Sequence, residues 1–283
     1  MATIIDGKRI SAEIRVELAE KTKAFEVAYG TVPGLAVIIV GEDPASRVYV
    51  RNKHKACAEV GFYSEVHELP EATTQAELNA LVDQLNADEK IHGILVQLPL
   101  PKHLDETEVL LRIDPSKDVD AFHPYNVGKI MIGDYDFLPC TPAGVMALLE
   151  RSGIDPAGKK CVVIGRSNIV GKPMSMLLLH ANGTVTVCHS RTKDLAAVTR
   201  EADILVVAIG RADFVGADMV KPGAVVIDVG MNRRADGKLT GDVDFDAVEP
   251  IASAITPVPG GVGPMTITML LQNTLTAAKK AAK

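Results

Sequence analysis

Short, uninterrupted apolar runs constrain this chain more than any other feature. Gly34-Leu-Ala-Val-Ile-Ile-Val-Gly41 contains no polar residue, and related runs occupy 91–97, 160–165, 184–188, 203–209 and 224–229. A strand with apolar neighbours in succession has both faces buried, which is the condition of a parallel sheet covered by helices. The intervening segments carry helical patterns. Ile10, Ile14, Leu18 and Phe25 recur at helical spacing across 10–29. Asp43-Pro44 offers an N-cap and an N1 proline for a helix that should run to Val60 and stop at Gly61. Residues 74–88, a segment opening at Thr141-Pro142, and a tail from Pro264 to about Ala281 also read as helices. Repeated strand and helix units predict an α/β fold. With 283 residues the chain exceeds a single core, so two domains are expected. Aromatic residues are only 4% and Trp is absent, so the cores must be built from Val, Ile, Leu, Ala and Met. Residues 112–140 lose periodicity and gather Asp, Pro and Gly, reading as a functional loop and linker. The expected boundaries are therefore 1–140, 141–263, and a last helix, 264–283, that packs back on the first domain.

Several function classes are disfavoured. A net charge of -6 lacks the basic footprint of a general nucleic-acid binder. Cys57, Cys140, Cys161 and Cys188 have no metal-ligand spacing, so no metal is expected and the thiols read as reduced core residues. The N-terminal residues lack the apolar segment of a signal peptide. No uncharged run approaches the roughly 20 residues of a membrane span.

Two regions carry chemistry. Val163-Ile-Gly165-Arg166-Ser167-Asn-Ile-Val-Gly171 joins an apolar strand to a helix. Such a turn presents backbone N–H groups and a helix dipole to a phosphate. Ser167 stands at the second glycine position of the usual dinucleotide fingerprint, so taken alone the segment also fits an ordinary βα turn. The next strand ends Cys188-His-Ser190-Arg191 without the acid that would bind a ribose 2′-hydroxyl. Ser190, Arg191 and Arg166 suit a 2′-phosphate instead, which points to NADP. Gly210 and Gly230-Met231 also follow strands on the ligand-binding side.

In the first half, Tyr49 and Lys53 lie i, i+4 on one helical face. That spacing fits a proton-transfer pair, although taken alone it is more often a surface contact. Gln97 ends the strand 91–97, and Lys117-Asp-Val-Asp120 opens the polar loop. Thr256-Pro-Val-Pro259-Gly260-Gly261-Val-Gly-Pro264 is too rich in Gly and Pro for a strand and reads as a rigid loop beside a ligand. Read residue by residue, these features leave open another NADP dehydrogenase, acting on shikimate or an amino acid, and a dinucleotide-sensing regulator.

Together, Tyr49-x-x-x-Lys53, Val96-Gln-Leu-Pro-Leu100, Lys117-Asp-Val-Asp120, Gly165-Arg-Ser167 and Pro257-Val-Pro-Gly-Gly-Val-Gly-Pro264 resemble the methylenetetrahydrofolate dehydrogenase/cyclohydrolase family, in order and over almost the whole chain. The resemblance implies an N-terminal α/β folate-binding domain, a Rossmann-like NADP-binding domain, and a cleft between them. It implies catalysis by Lys53 with Tyr49 and Gln97, folate binding by Tyr49, Gln97, Asp120, Pro259, Gly260 and Gly261, and NADP binding by Gly165, Arg166, Ser167, Ser190, Arg191 and Met231. It further implies a cytoplasmic homodimer serving one-carbon metabolism and purine biosynthesis.

Overall fold

The computed structural model describes residues 1–283, the side chain of Ala45 excepted. In chain order the first half holds β1 (Thr3–Ile4), α1 (Gly7–Tyr29), β2 (Gly34–Val40), α2 (Pro44–Val60), β3 (Tyr63–Leu69), α3 (Gln75–Ala87), β4 (Gly93–Val96), α4 (Glu106–Arg112) and α5 (Pro124–Ile132). The second half holds α6 (Cys140–Arg151), β5 (Lys160–Ile164), α7 (Gly171–His180), β6 (Thr184–Cys188), α8 (Leu195–Thr199), β7 (Ile204–Val207), β8 (Val225–Asp228), β9 (Asn232–Arg233), β10 (Leu239–Thr240), α9 (Phe245–Val248), β11 (Ala254–Ile255) and α10 (Val262–Ala281).

These elements form two compact units. One comprises Met1–Ala12 and Pro139–Thr266; the other comprises Glu13–Leu138 and Ile267–Lys283. The expected grouping of 1–140 therefore changes at its start. Thr3 and Ile4 pair in parallel with Ala254 and Ile255, so the first residues belong to the sheet of the second half. A strand this short carries no periodicity, and the reason for its placement lies some 250 positions away.

The unit holding Glu13–Leu138 is built on a parallel sheet of order β3-β2-β4. Every residue of β2 is buried, as its apolar run requires. Ala36, Ile38 and Val40 pack with Leu78, Val82 and Leu85 of α3 and with Ile94 and Val96 of β4. Each fully buried Leu or Ile stabilises the fold by about 1.5–3 kcal/mol relative to exposure. The Asp43 carboxylate accepts the Ser46 N–H at 2.7 Å, and Gly61 ends α2 in the left-handed conformation. The edge strand β3 had no apolar run to announce it: it alternates Ser64, Glu65, His67 and Glu68 with exposed Tyr63.

The other unit is built on a parallel sheet of order β1-β11-β8-β7-β5-β6. From β5 the chain moves outward to β6 and then returns to β7 on the opposite side. The order therefore reverses beside β5, which marks the ligand-binding crevice of a doubly wound sheet. In the three-stranded sheet it reverses beside β2 in the same way. All four cysteines are buried and unbridged. Among the described residues no helix is long and apolar enough to cross a membrane.

Candidate active site

In the three-stranded unit, the buried stripe of α2 runs through Ser46, Val50, Lys53, Cys57 and Val60. Lys53 thus occupies a core position on an amphipathic helix and is only 8% exposed. A lysine rarely takes such a place unless its ammonium is met by polar groups. Here Lys53 Nζ donates to Gln97 Oε1 at 2.9 Å. Gln97 lies just past β4, anchored by its own N–H to Ile38 O at 2.8 Å, and its Nε2 donates to Leu98 O at 2.8 Å. That second bond fixes which end of the amide faces the lysine. Tyr49 sits one turn before Lys53 and is 38% exposed. Among the expected residues, then, Lys53 and Gln97 are in direct contact and Tyr49 shares the helix of Lys53.

The loop carrying Asp120 is held by its neighbours. Ile94 N–H donates to Lys117 O at 2.8 Å, so the loop starts as an extension of the sheet. Lys117 Nζ donates to the carbonyls of Leu85 and Asp88. The buried Asp118 carboxylate accepts N–H groups of Phe122 and His123 and the Asn126 side-chain amide. Burial pushes the Asp118 carboxyl upward, against these hydrogen bonds. Ala121 is held at φ 56°, a left-handed conformation that costs an alanine about 1–2 kcal/mol. Asn273 of α10 donates to Val119 O and Leu138 O, fastening both ends of the loop region. Of the Lys117–Asp120 motif, Lys117 and Asp118 are therefore scaffold, while Asp120 is the half-buried residue they present. A cavity of about 880 Å3, lined in part by Tyr29, His92, Lys117 and Lys280, lies at the amino end of β4, away from Gln97.

In the six-stranded unit, Gly165 ends β5 at φ 132°, and a Cβ there would lie 2.3 Å from Ala208 O. Only glycine lets the turn pass this close to the loop after β7. Ser167 Oγ accepts the N–H groups of Val170 and Gly171 and so begins α7. Ser167 supplies the hydroxyl that fastens the turn where a glycine would have given only flexibility. After β6, His189 N–H donates to Thr192 Oγ1 and Arg191 N–H donates to His189 Nδ1, which shapes the loop bearing Ser190 and Arg191. Arg166, Ser167, Ser190, Arg191 and Met231 are all exposed. Neither Arg166 nor Arg191 has an acidic partner among the described residues. A close-packed glycine turn with two uncompensated guanidiniums fits a dinucleotide bearing an extra phosphate. Pro259, Gly260 and Gly261 belong to this same unit, where Gly261 N–H closes a turn on Pro257 O and Gly260 O accepts the Lys8 N–H.

Sequence reasoning passed over two buried acids. The Asp228 carboxylate accepts the N–H groups of Gly230, Asp242 and Val243, each at 2.9 Å, and burial pushes its carboxyl up to about 6. Asp242, fully buried, accepts from residues after both β7 and β8. Asp242 lies in Gly241-Asp-Val-Asp244, where nothing separates a core carboxylate from a loop acid.

Two parallel sheets, one with a buried lysine and amide at its carboxyl end and one with a close-packed glycine turn at the start of a helix, fit the class of nicotinamide-dinucleotide oxidoreductases. Comparison with known proteins narrows the class. Residues 5–120 match the catalytic domain of tetrahydrofolate dehydrogenase/cyclohydrolase, and 139–282 match its NAD(P)-binding domain. The bifunctional protein FolD of Moorella thermoacetica is 63% identical over 279 residues, 99% of either chain. The structure of the FolD methylenetetrahydrofolate dehydrogenase/cyclohydrolase of Campylobacter jejuni is 54% identical, covers 99% of both chains and superimposes with a TM-score of 0.96. That of the Trypanosoma brucei FolD, complexed with NADP cofactor and inhibitor, is 44% identical over 100% of this chain and 99% of its own, with a TM-score of 0.95. The chain belongs to the tetrahydrofolate dehydrogenase/cyclohydrolase family.

Proposed function

We propose that this enzyme oxidises 5,10-methylenetetrahydrofolate to 5,10-methenyltetrahydrofolate with NADP and hydrolyses the product to 10-formyltetrahydrofolate, with Lys53 handling the protons of the second step. The observation that carries this reading is the buried Lys53 ammonium 2.9 Å from Gln97 Oε1. The reacting carbon of the substrate lies between two nitrogens. Loss of hydride leaves a cation that both lone pairs stabilise, so the first step asks the protein chiefly for orientation. NADP, when bound, supplies the hydride acceptor. Hydrolysis differs: water adds to the methenyl carbon, a proton leaves the oxygen, and a ring nitrogen is released. That sequence needs a general acid/base. At Lys53 an amine is both sheltered and tethered by an amide. Gln97 orients the amine, and Tyr49, one turn away, positions the substrate.

Asp120 accepts paired hydrogen bonds from the amino and ring N–H donors of the pterin. Pro259, Gly260 and Gly261 line the folate. Gly165, Arg166, Ser167, Ser190, Arg191 and Met231 hold NADP, the two arginines toward its 2′-phosphate. The protein acts as a homodimer in the cytoplasm, a reading that rests on the family resemblance. The decisive experiment mixes protein, NADP and methylenetetrahydrofolate and follows reduced-nicotinamide absorbance, then supplies methenyltetrahydrofolate without NADP and follows its hydrolysis. Both activities are expected. Reduction without hydrolysis would remove the second half of the proposal.

A further inference from the structure

Three loops meet at the carboxyl end of the six-stranded sheet. The Asp242 carboxylate lies among them with no exposed surface. Its Oδ2 accepts the N–H groups of Ile209 at 2.7 Å and Gly210 at 2.9 Å, and its Oδ1 accepts that of Arg211 at 2.7 Å. Three successive main-chain N–H groups converging on one anion form a nest. The nest requires a left-handed residue, and Gly210 supplies it at φ 64°. The fourth donor comes from the neighbouring strand: Asn232 Nδ2 reaches Asp242 Oδ1 at 2.8 Å and Gly241 O at 3.0 Å. Asp242 is itself tied down, because its N–H donates to Asp228 Oδ1 at 2.9 Å, at the end of β8.

The loop so held is the one that touches the glycine turn. Ala208 O lies where a Cβ on Gly165 would stand, so any shift of 208–211 is felt at the start of the cofactor turn. Met231 lies between Gly230, whose N–H is held by Asp228, and Asn232, whose amide is held by Asp242. One anion therefore sets the main-chain path of the loops after β7 and β8. A buried carboxylate with no cationic partner is costly, and its cost is offset here only because every donor around it is in place.

We propose that Asp242 is a positioning residue for the dinucleotide: an internal anion that occupies the nest of Ile209, Gly210 and Arg211 and holds both loops in the shape the cofactor needs. The proposal rests on the assignment of NADP to this end of the sheet. It predicts that the carboxylate is an organising centre for binding without itself touching the cofactor.

The test compares Asp242→Ala, Asp242→Asn and Asn232→Ala with the wild-type enzyme. The readouts are the NADP dissociation constant, KM and kcat of the dehydrogenase, and cyclohydrolase activity without NADP. Asn keeps one of the two acceptor oxygens, so it should rescue part of what Ala loses. The expected result is a KM and Kd for NADP at least tenfold higher in Asp242→Ala, a smaller rise in Asp242→Asn, and about threefold in Asn232→Ala, each exceeding any change in kcat or in the cyclohydrolase. NADP constants within twofold of wild type in the Asp242 variants would overturn the proposal. So would equal loss of both activities, because Asp242 would then serve only the fold. Should neither Asp242 variant fold, Asn232→Ala decides: a rise in KM supports the proposal and an unchanged KM overturns it. A wild-type enzyme that fails to bind NADP would instead overturn the cofactor assignment.

Discussion

At the carboxyl end of the three-stranded sheet the proposed chemistry rests on side chains: Lys53 on a helix, Gln97 on a strand end, Asp120 on a braced loop. At the corresponding end of the six-stranded sheet the proposed cofactor site is shaped largely by main chain: the glycine turn at Gly165, and the start of α7 and the loops after β7 and β8, whose N–H groups are held by Ser167, Asp242 and Asp228. The difference follows from the tasks. Proton transfer needs one group of suitable chemistry at one point, and only a side chain supplies it. Seating a long dinucleotide needs a surface of fixed shape, which a backbone provides once its own N–H groups are anchored. Single substitutions should therefore be far more disabling, and more selective, in the first region than in the second.

The largest expected effect tests the first half of that contrast. Lys53→Met keeps much of the side chain's volume but removes the amine, so cyclohydrolase activity on methenyltetrahydrofolate should fall by roughly 10²–10⁴-fold. Dehydrogenase activity should fall much less, with methenyltetrahydrofolate accumulating in the medium. Equal loss of both would turn Lys53 into a binding residue and erase the contrast. Next comes a backbone position where the second region cannot absorb a change. Gly165→Ala places a methyl 2.3 Å from Ala208 O at a φ of 132°, so KM for NADP should rise about tenfold or more and stability should drop by about 1–3 kcal/mol, read by denaturant titration. A normal KM in that variant would show that the turn does not approach the cofactor.

Asp120→Ala should weaken folate binding about tenfold by calorimetry, the cost of losing hydrogen bonds to a charged acceptor, and should leave NADP affinity intact. An unchanged folate affinity would move Asp120 into the scaffold with Lys117 and Asp118. The smallest effect belongs to an exposed cation. Arg191→Ala should raise KM for NADP about fivefold and leave KM for NAD unchanged, since only the 2′-phosphate distinguishes them. Equal effects on the two cofactors would place Arg191 away from that phosphate.

The same contrast explains what could be read from sequence. β2, β4, β5, β7 and β8 announce themselves because burial on both faces leaves an unbroken apolar run. Lys53 is marked by its i, i+4 spacing from Tyr49 and by the family resemblance, whereas its burial, which depends on Gln97, just past β4, meeting α2, is not. By contrast β1 and β11 are two residues each, defined by their pairing with each other and, for β11, with β8. α5 was hidden in a segment full of Asp, Pro and Gly, its start set by the His123 side chain accepting Tyr125 N–H and its end by Gly133. Asp228 and Asp242 were illegible for a deeper reason: their partners are main-chain N–H groups, which every residue has and no sequence displays. The sequence marks where a side chain does chemistry more clearly than where backbone geometry does it.

The division of the chain into segments drawn from both ends has a consequence for biosynthesis. Thr3 and Ile4 leave the ribosome some 250 residues ahead of their partners, Ala254 and Ile255. The unit containing Lys53 needs Ile267–Lys283, including Asn273, which fastens the loop at Val119 and Leu138. The six-stranded unit waits for the chain as far as Thr266 and the three-stranded unit for α10, so a nascent chain paused before β11 exposes an unfilled sheet edge and an incomplete core. Long-range closures of this kind are slow and exposed to aggregation. The enzyme is consequently a poor candidate for being cut at residue 139 into two expressible halves, and a natural client for whatever shields emerging chains.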